Sequence, residues 1–140
     1  MLIVFTFDMS KEIKDQVEQL LDNWMEAFNN KDMKGWSNTH NFPHVRIAGG
    51  QVSLWETKDD YISHFSEPDM FKSLEADGWH HSKWVSRDFD LISEEKVHVS
   101  VVFQRYDKEN KPHSKNPKIS KKIYKKKKFK KKNYYRKKLD

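Results

Sequence analysis

The sequence predicts an α+β fold in which helices gather on one side of an antiparallel sheet. Two patterns carry the prediction. Near the start of the chain, apolar residues recur at three- and four-residue intervals, the period of a half-buried helix. Later, alternating residues fill two long runs, Trp79 to Ile92 and Lys96 to Tyr106, separated only by Ser93-Glu94-Glu95. The elements follow in the order helix, short helix, hairpin, helix, hairpin, with none of the strand-helix-strand alternation of a parallel sheet.

The first helix is read from Ser10, because Ile13, Val17, Leu20, Leu21, Trp24, Met25 and Phe28 share one stripe. Ser10 is the expected cap, with Glu12 at the positive end of the helix dipole and Asn29-Asn30 as the polar stop. Met9 directly precedes that cap and is an alternative start, so residues 1–9 read as an extension or a short edge strand. Lys31 to Thr39 is expected to form a short helix that turns Met33 and Trp36 inward, although Gly35 disfavours it. Phe42-Pro43 marks a boundary. Beyond it, His44 to Ala48 and Gln51 to Trp55 alternate around Gly49-Gly50, a hairpin signal. Thr57-Lys-Asp-Asp60 is a capping box opening a helix through Tyr61, Ile62 and Phe65, and Glu67-Pro68 ends it. In the last hairpin, Val97, Val99, Val101 and Phe103 occupy one face.

Composition then breaks sharply. Residues 1–107 hold 11 Lys+Arg against 19 Asp+Glu, whereas residues 108–140 hold 16 against 2. All five Trp and eight of nine Phe precede Lys108, so the surface able to drive collapse lies in the first part. The absence of Cys excludes disulfides and thiolate metal sites. The apolar start Leu2 to Phe7 lacks a basic flank and is too short to span a bilayer, so the cytoplasm is the expected compartment. No glycine-rich phosphate loop is present, and neither a metal nor a cofactor is expected.

The amphipathic first helix, Phe42-Pro-His-Val-Arg-Ile-Ala-Gly-Gly50, Val52-Ser-Leu-Trp-Glu-Thr57, Asp77-Gly-Trp79 and Val97-His-Val-Ser-Val-Val-Phe-Gln-Arg-Tyr106 together resemble the nuclear transport factor 2-like superfamily, in particular its SnoaL-like group. The resemblance covers roughly residues 10–112. It implies a cone, a strongly curved sheet wrapped around the first helix, with a pocket at its open end and often a homodimer formed through the sheet. Members include isomerases, dehydratases, cyclases and binding modules, so the fold does not select a chemistry. Isomerases of this kind place a catalytic Asp near the end of the first strand, where this chain has Ile47, Ala48 and Gly49. Two further strands should follow Tyr106, and their place is taken by a lysine-rich stretch. The last two strands are therefore expected to be missing or distorted.

Candidate chemistry begins with His44 and Arg46, which alternate onto one face of a strand and could serve as acid/base and anion holder. Trp55, Tyr61 and Trp84 are the expected walls for a flat or cyclic apolar ligand, although core packing accounts for them equally well. His40, His80 and His81 complete a possible histidine cluster, but adjacent His80 and His81 should point to opposite faces of a strand. Asp88 and Asp90 share a face with Trp84 by alternation, with a solvent-facing role favoured. Residues 113–140 have two readings. Lysines interleaved with Tyr124, Phe129, Tyr134 and Tyr135 would make a disordered or weakly helical arm for nucleic acid or anionic membranes. Alternatively, Lys, Asn, Ile, Tyr and Phe are what A/T-rich codons yield when read out of frame, which makes the tail the product of a frameshift near His113-Ser114.

Overall fold

The computed structural model describes residues 8–113 and 118–125. The apolar start at residues 1–7 and the tail beyond Lys125 lie outside the described residues, so the edge-strand and arm readings are not addressed there.

Helix α1 (Met9–Asn29) buries Val17, Leu21, Trp24, Met25, Ala27 and Phe28 along the stripe its spacing predicts. The cap is Asp8 rather than Ser10: its carboxylate accepts from the Ser10 and Lys11 N–H groups at 3.0 and 3.3 Å. A carboxylate satisfies these donors and also answers the positive helix end, which a hydroxyl does less well. Helix α2 (Met33–Ser37) is capped by Asp32, which accepts from the Gly35 N–H at 2.9 Å. Gly35 leaves room for that folded-back carboxylate, which a Cβ at this position would displace from its capping place.

Strands β1 (His44–Ala48) and β2 (Gln51–Trp55) pair antiparallel, His44 opposite Trp55 and Ala48 opposite Gln51. Gly49 and Gly50 close the turn at φ of 58° and 75°, a left-handed pair that glycine adopts without a Cβ penalty. Helix α3 (Lys58–Ser66) starts as its capping box predicts, with Thr57 Oγ1 accepting from the Asp60 N–H at 3.1 Å. Helix α4 (Met70–Ala76) was not anticipated. Asp69 caps it and its Phe71 is buried.

Strands β3 (His81–Ile92) and β4 (Lys96–Tyr106) form the second hairpin, with β3 beginning two residues later than the alternation predicts. Val97, Val99 and Val101 are fully buried against Val17 and Leu21 of α1. Register shifts between Trp84 and Ser86 and between Phe89 and Leu91 break the alternation of β3. As a result Asp88 and Asp90 do not share the face of Trp84. Both are exposed, while Arg87 turns back to α1, where it donates to the Glu18 carbonyl at 3.3 Å and pairs with Asp22.

Strand β5 (Lys118–Lys125) corrects the expectation of a disordered or weakly helical tail over those residues: it pairs antiparallel with β4, and Tyr124 enters the core opposite Val97. The described strands form two separate sheets, β1-β2 and β3-β4-β5, with β5 outermost. The α+β class and its incomplete antiparallel sheet are as expected. Trp24, Phe28, Trp36, Trp55, Tyr61, Phe71 and Trp79 build a second, aromatic core beside the valine core. Among the described residues no helix is long and apolar enough to cross a membrane.

Candidate functional site

The hairpin and helices α2 and α3 bring a histidine-aromatic cluster together. His40 follows the last turn of α2, and its Nδ1 lies 3.0 Å from the Trp36 carbonyl oxygen. A carbonyl only accepts, so Nδ1 carries the proton and, in the neutral ring, Nε2 is the acceptor. Tyr61, one turn into α3, places its hydroxyl 3.3 Å from that Nε2. The chain of hydrogen bonds therefore runs from the Tyr61 O–H to His40 and from His40 to Trp36. Tyr61 is 2% exposed, and burial pushes its hydroxyl up from the ordinary phenol value, with the positive charge of Arg46 acting in the opposite sense. The hydroxyl is thus held neutral as a proton donor.

His44 completes the cluster, its ring 4.7 Å from that of His40, 5.4 Å from Tyr61 and stacked on Trp55 at 5.8 Å. Three of the five predicted residues, His44, Trp55 and Tyr61, thus come together. Arg46 lies on the same strand face as His44 and is exposed at the rim. Trp55 and Tyr61 are both buried in the aromatic core, so their apolar surfaces already serve packing. Trp84 lies apart from the cluster. It packs on Trp24 at 5.3 Å and donates its N–H to the Leu21 carbonyl at 3.1 Å.

Sequence reasoning weighed His40 only within a four-histidine group and missed its pairing with Tyr61. The available signal was the four-residue spacing from Trp36, which lets the ring reach back to a terminal helix carbonyl. Trp36 contributes a second feature. Its indole N–H is buried and has no hydrogen-bond partner among the described residues.

His80 and His81 do not join His44. Because His80 precedes β3, strand alternation does not govern it, and the two Nδ1 atoms stand 2.9 Å apart. They border an open cavity of about 600 Å³ between the end of α4, the start of β3 and the loop after β4, which none of the five predicted residues lines. Among the described residues no group of three or more His, Asp or Glu side chains is placed to hold a metal ion.

The fold has a counterpart in the crystal structure, at 1.70 Å, of an NTF-2 like protein of unknown function from Shewanella oneidensis MR-1, with a TM-score of 0.55 over 77% of this chain and 81% of that one. Their sequences are 15% identical, so the likeness is one of fold. No curated protein matches the chain. A family model described as NTF2-like protein (DUF6841) matches residues 11–115, from the first turns of α1 through β4 and the loop beyond it, and the chain belongs to that NTF2-like family.

Proposed function

We propose that this chain is a small-molecule-binding NTF2-like domain of the SnoaL-like kind, whose ligand meets the His40-Tyr61 pair beside His44 with Arg46 at the rim. The observation that carries the reading is the hydrogen-bond chain from Tyr61 through His40 to Trp36, set under a buried phenol. While His40 is neutral, the Tyr61 proton is directed to it and the phenol oxygen offers lone pairs. Protonation of His40 reverses that bond and frees the Tyr61 hydroxyl to donate to a ligand oxygen. Such a pair suits an isomerase, lyase or cyclase step on an oxygen-bearing ring. The Trp36 N–H, without a hydrogen-bond partner among the described residues, supports a ligand or water oxygen nearby, since a buried donor left unmet costs about 1–3 kcal/mol.

The probe that matches this chemistry is 1-anilinonaphthalene-8-sulfonate, a fused aromatic ring carrying an anion for Arg46. Saturable binding should move the ring resonances of Tyr61 and His44, and Arg46→Ala should weaken it about tenfold by removing a charge-assisted hydrogen bond. Binding of equal strength in Arg46→Ala and His44→Ala variants would remove the site from consideration.

A dimerising module is a second reading, favoured by one observation. Val45, Ile47, Val52 and Leu54 are 54, 76, 69 and 54% exposed on the outer face of the first hairpin. Register sets Val45 against Leu54 and Ile47 against Val52, so the four form one aliphatic patch. The patch offers on the order of 400 Å², the size at which the largest apolar patch of a monomer is often functional. A second copy packed on it about a twofold axis would cover the centre of a standard-sized interface. Sedimentation should show a dimer that Ile47→Lys converts to a monomer, whereas a monomeric wild-type chain at high micromolar concentration would exclude this reading.

A further inference from the structure

The cavity bordered by His80 and His81 holds a second polar centre, and its proton positions follow from the chain of partners. The Asp107 carboxylate accepts from the Glu109 and Lys111 N–H groups at 2.9 Å each, which fixes a tight turn and puts Asn110 at a left-handed φ of 61°. The Asn110 side-chain oxygen then lies 3.0 Å from His81 Nε2 and 3.4 Å from Lys83 Nζ. Lysine only donates, so the atom facing it is the amide oxygen, and His81 Nε2 must bear a proton. A neutral His81 consequently has a bare Nδ1, to which His80 Nδ1–H donates across 2.9 Å. The His81 ring is held for this role by stacking on Tyr106, with centroids 5.2 Å apart and planes 10° from parallel.

From this relay we infer that His80 Nε2 is an oriented hydrogen-bond acceptor at the cavity, and that the cavity takes a small ligand bearing a primary ammonium group. Asn110, which does not line the cavity, acts as a positioning residue, setting the tautomer of His80 through His81. The charge lining the cavity selects the ligand's sign. Lys31 and Lys108 stand against Glu75, Asp107 and Glu109, and Lys31 is already paired with Glu75. An ammonium ion brings N–H donors for His80 Nε2 and balances the surplus carboxylate, whereas a carboxylate ligand meets both a lone pair and like charge. This site shares no residue with the His40-Tyr61 cluster and stands or falls independently of it.

Nitrogen-15 correlation spectra of the full chain at about pH 8, above the ordinary histidine range, read the relay directly. His80 should be in the Nδ1–H tautomer and His81 in the Nε2–H tautomer. n-Butylammonium should shift the His80 nitrogens saturably, and butyrate should leave them unmoved. Asn110→Gly keeps the left-handed backbone while deleting the amide; it should return His80 to a tautomer mixture and weaken n-butylammonium at least about twofold, the dilution of the acceptor tautomer in an even mixture. An Nε2–H tautomer of His80 in the wild-type chain, butyrate binding as well as n-butylammonium, or unchanged affinity in Asn110→Gly would each overturn the proposal.

Discussion

Tyr61 shows how one side chain serves both packing and chemistry. Its ring touches Trp36, Trp55 and Phe65 at 4.7–5.2 Å, while its hydroxyl is the polar end of the histidine cluster. Burial raises the proton affinity of this phenol, and of Tyr124, above that of an unfolded chain. Both contributions to stability are complete below the ordinary phenol value, about 10, and are lost as the pH rises above it, because the unfolded state releases its protons first. Urea midpoints measured from neutral to strongly alkaline pH should therefore fall above about pH 10 in the wild-type chain. In Tyr61→Phe the fall should be shallower; parallel curves would show that the hydroxyl is not buried as described. Tyr61 was legible as a candidate because an aromatic in a capped helix facing a hairpin has few places to go. Its partner was not, since the His40 contact depends on where the chain turns after α2.

At the scale of elements, local chemistry wrote most of the fold into the sequence. The Gly49-Gly50 turn is the sharpest case, as both residues need positive φ and a Cβ added at either would meet no atom within 4 Å. Strain alone is then tested by Gly50→Val, which should destabilise the chain by about 1–2 kcal/mol in denaturant titration. A neutral outcome would mean that the turn relaxes to another type. The features that sequence did not reveal are those set by neighbours. Helix α4 has only seven residues, with Phe71 its one buried side chain, too little for a periodic signal against the Pro68 just before it. The two register shifts in β3 leave no mark in a run that alternates smoothly on paper, yet they decide that Arg87 rather than Asp88 reaches α1. Asp8 took the cap from Ser10 because two good capping residues lay two positions apart and the charged one starts the helix earlier.

For the molecule as a whole, the question is how far the domain extends past the compositional break. Tyr124 is 7% exposed among Val17, Leu21, Val97, Val99 and Val101, which makes β5 part of the valine core. Tyr124→Ala should cost about 3–5 kcal/mol, as removal of a buried aromatic does, and a loss below about 1 kcal/mol would place β5 outside the cooperative unit. The class of fold and its core were legible because the patterned part carries nearly all the large apolar surface. The strand within the lysine-rich stretch was hidden, since charge density argued against order while Ile119, Ile123 and Tyr124 supplied only a short apolar pattern. That outermost strand also has a colloidal consequence. Among the described strands β5 is outermost, and Lys118, Lys121, Lys122 and Lys125 make half of its sequence cationic, a composition that opposes edge-to-edge pairing of two copies in dilute buffer. Screening by salt, or neutralisation by a polyanion such as heparin, removes that barrier. Dispersion of this chain should therefore fall as ionic strength rises, which light scattering across a salt series checks.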